Sequence, residues 1–433
     1  MIIGIMNLLN ARGTRDFAPE EKIVRQRVID RLRHVFELYG FSPLETPIVE
    51  RLGVLTAKYA GGAEILKETF SFKDQGDRDL GLRYDLTVPL ARFVGMNPNM
   101  KMPFKRYAIG RVFRDGPIKT GRYREFWQCD VDIVGSASML ADAQCVQIAQ
   151  KFFEELGLDV NIEVSSRKLL DGILESCEIP EEKKLAVIME IDKLKKVGLD
   201  TVQKQIKDLE VSNPAVQNLM EILATKGSNF EKLEKMKTLV DNRMAADGIK
   251  EMEEMLSYVD EKNVVLNLSL ARGLTYYTGP VFEVFLKDSK KFGSSLAGGG
   301  RWDKMIGQFL GSKKEYPATG ISFGIEPITA VLKLLKKEEE TVKTVTQVYV
   351  IPINTVMDCL KIAEELRKAD VKTDIDIVGR GISKNLNYAN SLGIPYVIFV
   401  GEDELKKKKV KLRDMKTGKE EMVSVKDVVK KVK

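Results

Sequence analysis

The stretch KRYAIGRVFRDGPIKTGRYREFWQCDVDIVG, Lys105–Gly135, decides the fold. Apolar and polar residues alternate on both sides of a centre holding Asp115, Gly116, Pro117, Lys119 and Gly121, which predicts two antiparallel strands joined by a long loop. On the outgoing strand Arg122, Arg124, Phe126, Gln128, Asp130 and Asp132 fall on one face, and Trp127, Cys129, Val131 and Ile133 on the other. The sheet therefore has a core side and a working side. Guanidinium groups beside a carboxamide and carboxylates suit a substrate that is anionic at one end and aminated at the other. A solvated hairpin laced with surface ion pairs would have the same composition, but it leaves two distant stretches unexplained.

The first companion is LRYDLTVPLARFV, Leu82–Val94; extended up to Pro89, it would put Asp85 and Thr87 on one face. The second is RGLTYYTG, Arg272–Gly279, where Arg272, Tyr276 and Tyr277 interrupt an apolar run. A buried arginine needs a carboxylate or a phosphate. Close by, AGGGRWD, Ala297–Asp303, leaves backbone room for a ligand, although glycine triplets are also plain turns. No GxxxxGK[ST] or GxGxxG pattern occurs, so a P-loop and a dinucleotide fingerprint are both unsupported.

Composition narrows the chemistry. A chain of 433 residues exceeds one ordinary core and predicts two or three domains. With 44% apolar residues, formal charge +6 and no run of membrane-spanning length, a soluble protein without a membrane partner is expected. No basic region precedes the N-terminal apolar residues, so no export signal is expected. Cys129, Cys145, Cys177 and Cys359 are too widely spaced for a disulfide framework or a CxxC metal site, which fits a reducing cytoplasm. The single histidine, His34, lies in a helical pattern and reads as a helix-face residue. Zinc clusters of Cys and His, histidine-ligated haem and Cys–His dyads are absent unless His34 supplies them. What remains is arginine, carboxylate, tyrosine, backbone and metal, acting on a substrate that brings its own nucleophile. The modest positive charge favours an anionic partner, either nucleic acid or an acidic protein.

Along the chain, Glu20–Tyr39 has helical spacing, and FSPLETPIVE, Phe41–Glu50, reads as an extended run. Pro47 within it implies an edge strand, either a plain edge or a dimer interface. Met139–Leu156 reads as an amphipathic helix, Val160–Val164 as a strand, and Val264–Leu286 as two strands around a turn. The lysine- and glutamate-rich segment Cys177–Asp260 reads as a helical insertion, and Ile321–Leu335 as the start of a final helix. After a charged boundary at Lys336–Glu340 the rhythm becomes strand, helix, strand, helix, strand: a mostly parallel α/β domain with right-handed crossovers. Gly379-Arg380-Gly381 follows one of its strands, where such domains commonly bind ligands. The expected division is 1–176 and 263–337 as two parts of one catalytic domain, 177–262 as the insertion and 343–433 as the C-terminal domain.

These stretches together resemble the histidyl-tRNA synthetases, class II aminoacyl-tRNA synthetases, over nearly the whole chain. GFSPLETPIVE, Gly40–Glu50, resembles the first class motif, with Pro47 at the dimer interface. FRDGPIKTGRYREFWQCDVDIVG, Phe113–Gly135, resembles the second, and RGLTYYTG and AGGGRWD resemble two signatures peculiar to histidyl enzymes. QCDVDIVG is more similar to the archaeal and eukaryotic branch than to the common bacterial one. The resemblance implies an α+β fold: an antiparallel-sheet catalytic domain with a helical insertion, then an anticodon-binding domain. It implies a cytoplasmic homodimer that activates histidine with ATP and Mg2+ and charges a histidine-accepting tRNA; the metal ligands stay unassigned.

Carried over residue by residue, the resemblance makes Arg114 and Arg272 the catalytic arginines at the α-phosphate and Arg122 a further ATP-binding arginine. Asp85 and Gln128 fall at the amino group of histidine, Thr87 belongs to the same substrate loop, Asp132 faces the imidazole, and Tyr276 and Tyr277 belong to the histidine pocket. Three positions depart from the family pattern. Pro327 stands where the third motif has an arginine for the γ-phosphate, Trp302 where tyrosine is usual, and Thr275 where aspartate is common. A catalytically impaired paralogue, acting as a regulatory or RNA-binding subunit, is the alternative these departures leave open.

Overall fold

The computed structural model describes residues 8–56, 67–118, 121–271, 276–288, 290–335 and 343–433. The chain divides into two units, one of residues 1–15 with 28–331 and the other of residues 16–27 with 332–433.

The first unit is built on an eight-stranded sheet. Its strands are β1 (Ser42–Pro43), β5 (Phe104–Phe113), β6 (Glu125–Val134), β7 (Val160–Ser166), β8 (Val264–Leu266), β9 (Pro280–Leu286), β10 (Ala297–Arg301) and β11 (Ala318–Gly324). Their order is β1-β5-β6-β11-β10-β9-β7-β8, antiparallel except for the outermost pair at each end. The hairpin expected from the sequence is β5 and β6, paired from Phe104↔Val134 to Phe113↔Glu125. A small antiparallel sheet of β2 (Val49–Arg51), β4 (Asp79–Leu82) and β3 (Ser71–Lys73) stands apart from it.

Alternation sorts the two faces of the large sheet. Cys129, Val131, Ile133, Ile321 and Phe323 are buried on the core side. Phe323 there meets Phe36, from the helix Pro19–Leu38, at 5.7 Å, and Phe152, from the helix Met139–Glu155, at 5.4 Å and edge-on. Each fully buried aromatic contributes roughly 1.5–3 kcal/mol, so this cluster fixes both helices on that face. The working side is buried as well, which alternation alone does not predict. Asp130 and Asp132 are 2% and 3% exposed. The segment leading into the helix Thr87–Met96 covers the working side, with Leu86 packed on Ala108 and Val112 of β5.

Four sequence expectations need correcting. Leu82–Val94 is not extended to Pro89: the strand stops at Leu82 and a helix begins at Thr87. Pro89 sits in its first turn, where a missing N–H is tolerated, and Asp85 Oδ1 accepts from Val88 N at 2.9 Å. Pro47 lies between β1 and β2, exposed, and it is Pro43 that occupies the edge strand. Ile321–Gly324 belongs to β11, and the last helix of this unit is Ile325–Leu334. Cys177–Asp260 is helical as expected, with helices from Glu181–Ile191 through Arg243–Ser257, but it clusters within the same unit as the sheet.

The second unit carries a mixed five-stranded sheet, ordered β13-β12-β14-β15-β16, from β12 (Val348–Pro352), β13 (Thr373–Ile375), β14 (Tyr396–Val400), β15 (Val410–Asp414) and β16 (Glu420–Val423). The first three are parallel and linked through the helices Val356–Lys368 and Ile382–Ser391; the last two are antiparallel. Val348, Val350, Ile398 and Val400 pack on one face, and Tyr349, Ile351, Val397 and Phe399 on the other. Covering both faces explains why β12 and β14 read as unbroken apolar runs. His34 is exposed on its helix, and all four cysteines are buried and free of disulfides.

Candidate active site

A cavity of about 430 Å³ opens on the working side of β6, a size ordinary for small-molecule sites. Asp85, Thr87, Arg114, Arg122, Gln128, Asp132, Tyr276 and Tyr277 all line it. Residues up to 192 apart in sequence (Asp85 to Tyr277) thus meet in one place. Arg272 and Thr275 lie outside the described residues.

Strand register sets the floor in rows. Arg106, Asp132, Gly320 and Gly300 form one row across β5, β6, β11 and β10. Ala108, Asp130, Ser322 and Gly298 form the next, continued by Glu283 on β9. Gly320 carries no side chain for a steric reason: a Cβ there would lie 2.2 Å from Asp132 Oδ1. At Gly299 a Cβ would lie 1.9 Å from the Gly320 carbonyl oxygen. The glycines seen in AGGGRWD are therefore the floor of a cavity and not a turn.

The electrostatics divide the cavity. At its buried end Asp85, Asp130 and Asp132 gather around the Arg106 guanidinium, whose Nη2 lies 2.7 Å from Asp132 Oδ2 and donates to Leu86 O at 3.0 Å. Burial raises Asp85 to about 6, against the Val88 N–H and the Arg114 charge. Burial raises Asp130 to about 7; Arg106 opposes this, while Asp132 and Asp85 reinforce it. Asp132 is also raised by burial, opposed by Arg106 and by a hydrogen bond from Trp302. Trp302, 2% exposed, lines the same cavity, and its indole N–H favours the ionised form of Asp132. Gln128 Nε2 donates to Ser322 Oγ at 3.1 Å, which leaves Gln128 Oε1 buried without a partner. Tyr276 and Tyr277 form a wall, with ring centroids 4.6 Å apart.

Arginines line the more exposed side, Arg114 near enough to Asp85 for its charge to lower that carboxyl. Arg114 is held by Nε donating to Tyr84 O at 3.1 Å and by its guanidinium lying 5.2 Å over the Phe126 ring. Among the described residues neither Arg114 nor the exposed Arg122 has a carboxylate within ion-pair distance. In place of the third-motif arginine, Pro327 packs its ring on Gly324 in the first turn of the helix Ile325–Leu334. Its neighbour Glu326, 5% exposed, accepts from Trp127 N at 3.2 Å and ties that helix to β6.

Several participants escape a reading by motif. Asp130 shares a face with Gln128 and Asp132, but nothing in one sequence marks it as a cavity acceptor. Arg83 is buried and donates to Thr46 O at 2.7 Å and Arg111 O at 2.9 Å, passing over the bare Gly110. Arg301 is 2% exposed and pairs with the fully buried Asp142, so the arginine of AGGGRWD braces the floor from beneath. None of these pairings has a local sequence signal.

A family description of histidyl-tRNA synthetases matches residues 13–328, and one of an anticodon-binding domain matches residues 347–433. The chain is 43% identical over 430 residues to a protein of Bacillus cereus named histidine–tRNA ligase 1, covering 97% of this chain and 98% of that one. It is 42% identical over 398 residues to the histidine–tRNA ligase of Aeropyrum pernix, covering 91% of this chain and 90% of that one. The crystal structure of histidyl-tRNA synthetase from a Nostoc species superposes with a TM-score of 0.88 at 30% identity, covering 99% of each chain.

Proposed function

The chain belongs to the histidyl-tRNA synthetase family and attaches histidine to its tRNA in an ATP-dependent reaction, and we propose that it does so in the cavity on the working side of β6. The observation that carries this placement is the cavity's polarity: carboxylates and an unpaired carboxamide oxygen at the buried end, unpaired guanidiniums toward the more exposed side. Histidine enters with its amino group toward Asp85 and Gln128, beside Thr87 of the same loop, and its imidazole toward Asp132 and the two tyrosines. ATP lies across Arg114 and Arg122. The histidine carboxylate then attacks the α-phosphorus, pyrophosphate leaves, and the adenylate is passed to the terminal ribose of the tRNA.

No side-chain base is needed for the first step, since the carboxylate is already ionised. The protein's contribution is to hold charge: Arg114 and, in this proposal, Arg272 stabilise the negative charge that develops at the α-phosphate in a water-poor site. Arg122 is available for the terminal phosphates, where Pro327 offers nothing. Magnesium, which would neutralise phosphate charge, needs one or two carboxylates besides the phosphates. Glu68 on the cavity wall, beside Gly116, would supply one. Among the described residues no group of three or more metal-binding side chains is preassembled. Histidine-dependent exchange of pyrophosphate into ATP tests the whole reading; purified protein inactive in that assay with ATP and Mg2+ would overturn it.

Residues 343–433 would hold the anticodon region of the tRNA. The loop after β13 is preorganised for a contact: Asp376 accepts from the backbone of Val378, Gly379 and Arg380, and the Arg380 guanidinium stacks 4.5 Å over Tyr388. Arg380→Ala is expected to raise KM for tRNA several-fold while leaving pyrophosphate exchange unchanged; loss of both together would refute the assignment. The homodimer would form through the β1–β2 region, where Ile48 and Val49 are 41% and 42% exposed. Sedimentation at micromolar concentration should then give twice the chain mass, and a monomer independent of concentration would count against it.

A further inference from the structure

Asp130 is a buried carboxylate in the cavity, and the reaction as described does not use it. Its Oδ1 has no hydrogen-bond partner, and the side chain is 2% exposed. It lies two residues from Gln128 and from Asp132 on the same face of β6, and Gln128 Oε1 and Asp132 Oδ2 are the other orphaned acceptors of that face. Ser322 stands beside Asp130 and Gln128: its hydroxyl receives from Gln128 Nε2, and its backbone lies directly opposite Asp130 on the neighbouring strand. Asp85 completes the set. One of its oxygens is occupied by Val88 N at 2.9 Å, and the carboxylate lines the same cavity.

An amino group carries three N–H donors when protonated, and orphaned buried acceptors are costly until donors reach them. We propose that Asp130 is the third acceptor for the α-ammonium of histidine, completing with Gln128 and Asp85 a cradle of three oxygens for three hydrogens. The proposal rests on the reading of this cavity as the histidine site. The charged groups facing Asp130 agree with it: Asp85 ahead of the helix Thr87–Met96, Asp132 on β6 and Glu283 on β9 are acidic, against Arg106 on β5 and Arg83 beyond it. With Asp130 itself counted, the acids outnumber the two guanidiniums, so this end of the cavity is short of positive charge. In the empty site a proton supplies it, since burial raises the Asp130 carboxyl to about 7.

The test separates the amino group from the imidazole. Histidinol keeps both, and imidazolepropionate keeps the ring but has no amino group. Calorimetric titration of Asp130→Asn and Asp130→Ala is expected to show histidinol binding weakened about ten- to a hundredfold, the scale of a hydrogen bond to a charged group, with imidazolepropionate binding within twofold of wild type. Folding supplies the control. Asp130 holds its proton in the folded chain up to about pH 7 but in the unfolded chain only up to about 4, so its ionisation weakens the fold as pH rises through that window. Asp130→Asn should therefore melt no lower than wild type at pH 8. If both ligands weaken together, Asp130 serves the ring or the fold and the proposal is wrong; if neither weakens, it is wrong too. Wild-type protein that binds neither ligand would instead bring down the histidine reading itself, and this proposal with it.

Discussion

Arg114→Ala is expected to lower the rate of adenylate formation by on the order of 10² to 10³ in kcat, the scale of removing one transition-state donor. The side chain is positioned before substrate arrives, with Nε anchored on Tyr84 O and the guanidinium laid over Phe126. Tyr84 is itself fixed, buried with its hydroxyl donating to Leu55 O at 3.1 Å. The terminal nitrogens thus aim at the phosphate with little reorganisation. Lysine should restore little, since an ammonium loses the planar fork and the seat on the ring. KM for histidine should change less than kcat, because in the proposed arrangement the amino acid is held by Asp85 and Gln128 and not by Arg114. Arg272→Ala should match it in exchange, and both variants should keep much more of their activity in charging from supplied histidyl-adenylate, where pyrophosphate has already left. Quenched-flow measurement of adenylate in each variant decides the matter: a wild-type rate in Arg114→Ala would remove that residue from the mechanism.

The second large effect is on stability. Asp142→Ala is expected to cost about 3–5 kcal/mol, because it strands the Arg301 guanidinium in the interior. Arg301 and Asp142 are 2% and 0% exposed, and the guanidinium also donates to Ser136 O at 3.0 Å and Ser138 O at 3.2 Å. Burial pushes Asp142 up while Arg301 opposes it; for Arg301 burial works downward and the Asp142 charge outweighs it. Removing Asp142 leaves Arg301 only the longer contact to Asp303 Oδ1 at 3.3 Å, whereas replacing both members with apolar residues of similar volume removes two desolvation costs at once. Asp142→Ala should lower Tm by on the order of 10 °C, and Asp142→Leu with Arg301→Met should recover most of that. A single variant that melts like wild type would show that the pair contributes no net stability.

The difference between these two predictions mirrors what the sequence could reveal. Arg114 was legible because it ends a strand whose alternation is readable over ten residues, and because its neighbours form a motif. Arg301 lay in an equally legible stretch, but its partner is 159 positions away, and periodicity carries no information about such a pairing. Asp85 reaches the cavity on a backbone other than the one its sequence suggests: Thr87, Val88 and Pro89 look like the end of a strand. A proline in a helix's first turn and an aspartate four residues before it form the competing signal, and that signal prevailed. The extent of β11 was missed because Gly324, which ends it, was read as the interior of a helix. Asp130 lay on the right face of β6, but its isolation in the cavity exists only once Leu86 and its neighbours close over β5.

The glycine floor bears on inhibition. A compound resting on Gly299 and Gly320 would touch main chain, and neither position can acquire even a methyl group without displacing a strand or Asp132. Cells under selection commonly escape an inhibitor by exchanging a side chain in its footprint. Here that route runs through the central sheet, and we expect resistance substitutions to collect on the walls, at Tyr276 or Arg122, while the floor keeps its sequence.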